Sequence, residues 1–320
     1  MNLDDNLIQL SGDASFRKFY RFKNKKKSIL VFAEKEKKNN LLIYSAINKL
    51  LIKNKIKAPK LINQNYKKKF IEIEDLGNKT IFDILIKNKS KKFKYYYKII
   101  SILSKLQKIK NNKIITFKKT KYQIPIYSKN ILYKESKMFL DWYVPKIIEK
   151  NKQKKLNKKL KKNIKKLIND LKNKKKVFTH RDFHISNMMY CKNNIFLIDS
   201  QDAVYGNTAY DLASLIDDVR IKTTLKDKEK LFKRYIIINK SIDVDEFRND
   251  FEILSVLRNL KIIGIFSRLS VRDKKNKYLK LIPHAWNLIE QRTNKNQNFI
   301  DLKNILDKYF PQKLRRKYEN

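Results

Sequence analysis

Cysteine is nearly absent: Cys191 is the only one in 320 residues. No internal disulfide is available, metal sites built on clustered thiolates are excluded, and a reducing, cytoplasmic compartment is expected. Long apolar runs are missing as well. Nothing approaches the roughly 18–20 residues that a membrane span needs. The opening residues, MNLDDNLIQL, are acidic and polar, unlike a secretory signal. Glycine occurs only four times and proline five. Arginine is scarce too, with 12 copies against 65 lysines.

Negative charge is the next shortage. Asp and Glu number 31 against 77 Lys and Arg, a formal net charge of +46. Such a balance suggests nucleic acid or an anionic membrane as partner. Two features argue otherwise. The lysines run along the whole chain, and the enriched residues (Lys, Asn, Ile, Tyr, Phe) are those with A/T-rich codons. Arginine, the better bidentate reader of phosphate, is the rare cation. The charge is therefore read as dispersed, with neither a specific nucleic acid nor a membrane as partner. A non-catalytic basic protein that binds nucleic acid or membrane surfaces is the alternative of a different class.

What is present supports a folded enzyme-sized chain. Hydrophobic residues make up 42%, with 18 Phe and 17 Tyr, enough for a substantial core. Residues 7–10, 16–22, 28–33, 60–64 and 69–75 read as strands, and 41–53 as a helix. After Gly77 the pattern turns helical, over 80–88, 93–110, 130–150, 152–173, 208–219, 226–238, 244–270 and 274–294. In 152–173 a stripe of Leu156, Leu160, Ile164, Leu167 and Leu171 marks one buried face between solvated lysines. Two short apolar runs, KVFT and NIFLID, read as buried strands inside this helical half. The fold class is α+β, with a small β-rich lobe over 1–76 and a larger α-rich lobe over 77–320. The rare glycines sit where backbone geometry is expected to need them: Gly12 in LSGDASF, Gly77 in IEIEDLGN, Gly206 in DAVYGNTAYD and Gly264 in IIGIFSRL.

One stretch breaks the lysine pattern. THRDFHISNMMYCKNNIFLIDSQDA, residues 179–203, holds two of the three histidines, three aspartates and clustered amides. Asp182 follows one strand, Asn187 lies five residues on, and Asp199 ends the next strand. A strand–loop–strand hairpin brings these three side chains to one end. Asn and Asp are hard oxygen ligands suited to Mg²⁺, which leaves its remaining positions to phosphate and water. A separate Asp accepts the proton of a substrate hydroxyl. An Asp base with an Asn and an Asp ligand is the parts list of phosphoryl transfer. A lone H-x-D reads as a charged turn, whereas H-x-D-x-x-x-x-N before an apolar strand ending in Asp is far more specific.

HRDFHISN with FLIDSQDAVYG resembles the aminoglycoside phosphotransferase and choline kinase-like family, whose fold is protein-kinase-like and two-lobed. The resemblance runs over roughly residues 7–270 and includes DAVYGNTAYDLASLIDD, with Asp211 opening a helix. SGDASFRKFYR, ILYKESKMFLDWY, IDSQDAVYGNTAYDLASL and LRNLKIIGIFSRLSVRD are similar to one branch, the anomeric kinases of N-acetylmuramate and N-acetylglucosamine in cell-wall recycling.

The resemblance implies ATP and Mg²⁺ as cofactors, a nucleotide-binding N-terminal lobe, and a small-molecule acceptor, an amino sugar, handled by a monomer. Asp182 is then the general base, and Asn187 and Asp199 the metal ligands. Gly12, Asp13, Ala14 and Ser15 cover the phosphates with backbone N–H groups. Glu74, Asp75 and Leu76 meet adenine through the backbone. Glu135, Asp202 and Arg258 are candidate substrate contacts. Arg258 faces either an acidic sugar's carboxylate or simply Glu252. Another small-molecule kinase of this fold, for choline or an aminoglycoside, is the alternative within the family.

Two departures stand out. Many kinases carry a phosphate-binding Lys in the third strand, and here that strand reads SILVFA. Lys35 and Lys37, which follow it, or the loop backbone alone, are the expected substitutes. Ser200 stands where an aromatic usually follows the metal-binding Asp.

The dispersed-charge reading predicts only ordinary non-specific affinity for a random DNA duplex at physiological salt, about 10⁻⁴–10⁻⁶ M. A titration showing nanomolar binding at that salt would overturn it.

Overall fold

The computed structural model describes residues 7–10, 17–23, 27–34 and 40–319. They form two compact units, one of residues up to Pro125 together with Val177–Tyr205, the other of Ile126–Lys176 with Gly206 onward. The strand-rich segment that ends at residue 76 is one part of unit 1.

In unit 1, β1 (Leu7–Leu10), β2 (Lys18–Phe22), β3 (Ser28–Phe32), β4 (Leu61–Asn65) and β5 (Phe70–Glu74) form an antiparallel sheet in the order β1-β2-β3-β5-β4. Strands β2, β3 and β5 are rich in Ile, Val, Phe and Tyr, which suits a pleated, half-buried surface. Val31 lies opposite Ile71 in the β3–β5 register. These two pack with Ala33, Ile73 and, from helix α1 (Asn40–Lys53), Leu41 and Tyr44 into one core.

Helices α2 (Ile81–Lys87) and α3 (Lys92–Leu106) follow, then a short ribbon of β6 (Lys113–Ile115) and β7 (Lys121–Gln123). A capping box between Thr80 and Asp83 starts α2 by satisfying otherwise orphaned N–H groups. The β6–β7 ribbon has no counterpart in the sequence reading. Its strands are short and rich in lysine, so neither shows a periodic apolar face.

Unit 2 opens with α4 (Lys129–Ser136), a π-helical turn over Phe139–Tyr143, α5 (Val144–Ile147) and α6 (Lys150–Asn169). The continuous helix expected over 130–150 is broken. The Val144 N–H reaches back five residues to the Phe139 carbonyl, and Pro145 has no N–H with which to restore the α-helical ladder. In α6 the expected stripe is buried at Leu156, Leu160, Ile164 and Leu167, while Leu171 lies past the helix end.

The chain returns to unit 1 along β8 (Lys176–Thr179), β9 (Met188–Cys191) and β10 (Asn194–Leu197), and leaves it again along β11 (Val204–Asn207). Unit 2 is completed by α7 (Tyr210–Ile216), α8 (Leu225–Ile238), the long α9 (Val244–Asp273), α10 (Ile282–Thr293), α11 (Ile300–Tyr309) and α12 (Gln312–Arg315). The helix expected over 274–294 begins instead with a 3-10 turn, and Pro283 sits in the first turn of α10, where its missing N–H costs nothing.

Two buried carboxylates of unit 2, Asp217 and Asp250, are partnered. Asp217 touches the Lys228 ammonium at 2.8 Å and the Arg292 guanidinium at 2.8 Å. Burial alone would raise its pKa, but Arg292 and Lys228 overcome this and hold it at about 2. Asp250 accepts the Lys172 and Asn173 N–H groups at 2.7 and 2.9 Å and the Asn207 amide at 2.6 Å. It thereby joins α9 to the segment before β8 and to the last residue of β11.

Gly264 explains its own rarity. It lies inside α9, and a methyl added there would fall on the backbone of Met138 and Phe139, 2.6 Å from the Phe139 nitrogen. Helix propensity alone favours Ala over Gly by about 1 kcal/mol. We expect Gly264→Ala to destabilise the fold nonetheless, by about 1–3 kcal/mol, because the neighbour is backbone and cannot rotate away. Urea unfolding checks the sign: the midpoint should fall, and a rise would show that the helices part without cost.

Candidate active site

The loop after β8 is built to present one carboxylate. Phe183 and Ile185 are fully buried and pin it from below. The His184 N–H returns to the Asp182 carbonyl at 3.0 Å, and the Asn187 N–H to the His184 carbonyl at 2.9 Å. Arg181 takes a φ of 76°, a left-handed conformation that costs a non-glycine residue energy and marks a constrained turn. Asp182 is half-buried, and among the described residues nothing hydrogen-bonds or ion-pairs with its carboxylate.

Asn187 spends its amide donor on the loop. Nδ2 reaches the Asp182 carbonyl at 3.1 Å and lies 3.3 Å from His184 Nε2. No described residue donates to its Oδ1, the hard oxygen of the pair. The Ile198 N–H binds the Asn187 carbonyl at 3.1 Å, which sets Asp199 immediately beside this loop. Asp199 itself is left-handed, with φ of 64°.

This arrangement departs from the expected hairpin. β10 pairs with β9, not with β8. Strand β9 was not anticipated, because MMYC has no alternation. It is placed by the Tyr190 N–H on the Lys79 carbonyl, 2.8 Å, and by the bridge of Met189 to Thr80.

His180 is buried, and burial pushes its imidazole below the ordinary pKa against the pull of Asp182, Asp199 and Asp202. Ser200, fully buried, donates to Asn48 Oδ1 on α1 at 2.7 Å. A hydrogen bond to a helix thus takes the place of the aromatic packing expected there. Asp202 is exposed, accepts from Gln201 Nε2 at 3.0 Å and has Arg181 at 3.8 Å.

Sequence reasoning missed Arg17. Its guanidinium ion-pairs with the Asp199 carboxylate, donates to Gln201 Oε1 at 3.1 Å, and lies over the rings of Tyr44 and Phe19 at 5.3 and 5.7 Å. The signal was available: an arginine, in a chain that otherwise uses lysine, directly after GDASF.

Among the described residues no group of three or more His, Cys, Asp or Glu side chains is placed to hold a metal. The oxygens at hand are Asn187 Oδ1 and the Asp199 carboxylate. Two hard oxygens are too few for a protein cage and fit Mg²⁺, which completes its shell with phosphate and water.

Gly12, Asp13, Ala14 and Ser15, and also Lys35 and Lys37, lie outside the described residues. At Glu74, Asp75 and Leu76 the backbone is partly committed. The Glu74 N–H donates to the Lys60 carbonyl at 2.9 Å and the Asp75 N–H to the Lys27 carbonyl at 3.1 Å. The Leu76 N–H has no such partner among the described residues. Arg21 grips the Asp75 carboxylate in a fork at 2.6 and 2.8 Å. Gly77 follows with φ of 79°, a conformation that glycine adopts without strain.

The remaining two candidates belong to unit 2. Glu135 is held by Lys261 at 2.8 Å and by the Tyr127 hydroxyl, which also contacts Tyr210 at 3.1 Å. Tyr127 and Tyr210 line a cavity of about 440 Å³ together with Asn173, Asn207 and Leu254. Arg258 is 5% exposed and forms no hydrogen bond or ion pair among the described residues. Glu252, its alternative partner, accepts from Asn296 at 2.7 Å instead.

Comparison with known proteins follows the same lines. A sequence model of the APH group, the phosphotransferase enzyme family, matches residues 6–243. A protein of Pseudomonas aeruginosa named N-acetylmuramate/N-acetylglucosamine kinase is 24% identical over 306 residues, which span 94% of this chain and 87% of that one. Its namesake in Neisseria meningitidis is 27% identical over 90% of this chain and 86% of its own. An aminoglycoside 2′-phosphotransferase solved as its GDP complex shares the fold, with a TM-score of 0.62 at 13% identity over 91% of this chain and 93% of that one.

Proposed function

Because the chain belongs to the phosphotransferase enzyme family, a group of small-molecule kinases, we propose that it moves the terminal phosphoryl group of ATP to the anomeric hydroxyl of an amino sugar. N-acetylmuramate and N-acetylglucosamine are the acceptors in view. The names of the relatives, matched over nine-tenths of this chain, support that substrate class. The observation that carries the chemistry is the carboxylate of Asp182, without a hydrogen-bond or ion-pair partner among the described residues, near Asn187, whose own amide proton is fastened to the Asp182 carbonyl.

Asp182 orients the attacking hydroxyl and takes its proton. An anomeric hydroxyl is more acidic than an ordinary alcohol, so the proton transfer is less demanding. Asn187 Oδ1 and the Asp199 carboxylate would hold Mg²⁺, which supplies charge neutralisation on the transferring phosphoryl group. Leu76 offers its N–H to the adenine edge, and the phosphate-binding role that the family resemblance implies for Gly12 to Ser15 is retained. Asp202 and Glu135 serve sugar hydroxyls. Arg258 is assigned to the carboxylate of an acidic sugar, because a buried guanidinium without an anion is costly.

Asp182→Asn keeps the shape and removes the base. Turnover should drop by about 10²–10⁴-fold while nucleotide affinity by calorimetry stays within a few-fold. A variant retaining more than half of kcat would take Asp182 out of this role.

The acceptor position is tested separately. A pocket that hydrogen-bonds ring hydroxyls strongly rejects analogues lacking them, since its polar groups are left unpaired. N-acetylglucosamine or N-acetylmuramate should be phosphorylated, and their 1-O-methyl glycosides should be inert. Phosphorus NMR should show the new phosphate coupled to H1. Phosphate on O3 or O6, or turnover of the methyl glycosides, would leave a kinase of this family with another acceptor.

A further inference from the structure

Strand β3 cannot supply a cation to a nucleotide. Its sequence is SILVF, and Leu30 and Val31 are buried in the sheet core. A triphosphate carries about four negative charges near neutral pH, and Asp182 and Asp199 add two more on the protein side. One Mg²⁺ offsets two of these. A site of this charge needs a fixed cation, placed so that it meets the phosphates and not bulk solvent.

Arg17 has the properties required. It is 5% exposed, so water screens it little. Stacking over Tyr44 and Phe19 and the bond to Gln201 at 3.1 Å fix its plane. Its charge rests on Asp199, the carboxylate expected to take the metal, whose side chain is still 39% exposed on its other side. Arginine keeps its charge at any working pH, and its planar fork matches phosphate oxygens as well as carboxylates.

The geometry points to Arg17 as the polyphosphate-binding cation of this site, standing in for the lysine that β3 lacks. Before nucleotide arrives, it neutralises and holds Asp199. Asn187 and Asp199 would hold the metal, and the guanidinium of Arg17, fixed beside Asp199, would then face a phosphate oxygen of the nucleotide. Asp199 is then an acceptor shared by an arginine and a divalent cation, and no covalent bond is made or broken. This role rests on the nucleotide-dependent reading of the site proposed above.

Calorimetry of ADP binding with wild type, Arg17→Met and Arg17→Lys, each in Mg²⁺ and in EDTA, tests it without turnover. Arg17→Met should bind Mg·ADP at least about 10-fold more weakly than wild type, and Arg17→Lys should recover part of the loss. A folded Arg17→Met protein that binds Mg·ADP within two-fold of wild type would reduce Arg17 to a structural partner of Asp199. If Arg17→Met fails to fold, Arg17→Lys decides, because it keeps a charge against Asp199 but loses the fork: binding several-fold weaker than wild type supports the role, and wild-type affinity overturns it. Wild type that binds no nucleotide under either condition would instead remove the kinase reading itself.

Discussion

The hydrogen bond from the Ile198 N–H to the Asn187 carbonyl is the constraint on which the rest of the site depends. It joins the end of β10 to the end of the loop after β8, and so places Asp199 next to Asn187. Each side of this junction is tied down by other parts of unit 1. The Leu197 N–H binds the Lys57 carbonyl at 2.9 Å, the Tyr190 N–H binds the Lys79 carbonyl at 2.8 Å, and Ser200 binds Asn48. Backbone bonds made in a buried setting are costly to break. The two expected metal ligands are therefore positioned by main chain, with Asn187 Oδ1 taking no donor among the described residues and the Asp199 carboxylate held by Arg17.

Charge is organised around that junction in a way the overall composition hides. The chain carries +46, yet the candidate site gathers carboxylates near a buried His180 whose pKa burial lowers, with the guanidinium of Arg17 on Asp199. Exposed lysines are strongly screened and contribute little at a distance. A buried arginine at contact distance dominates locally. The proposed reaction depends on this placement of a few charges, and the large net charge does not contradict it.

Much of this was legible beforehand. The strands of the first 76 residues and most helices followed from apolar period, and the rarity of glycine marked Gly264 as a position where backbone geometry matters. The elements that were missed share a cause. Strands β6, β7 and β9 are short and lack alternation, and only pairing with another segment makes them strands. The break in the 130–150 helix depends on a π turn ahead of Pro145, and periodicity over a long window averages such a turn away.

By itself the sequence determined the chemistry: which carboxylates and amides are present, their spacing as H-x-D-x-x-x-x-N and a strand ending in Asp, and the family that this spacing resembles. These are local properties, carried by neighbouring residues. Only the tertiary structure decided who meets whom. It put Arg17 on Asp199 across 182 positions of chain, spent the Glu74 and Asp75 N–H groups on the residues just before β4 and β3, closed Glu135 onto Lys261 and Tyr127, and left Arg258 buried with no hydrogen-bond or ion-pair partner among the described residues. A residue's type sets which bonds it is able to make. Which of them it does make depends on how the chain packs, because a buried polar group takes whatever partner the fold brings within about 3 Å.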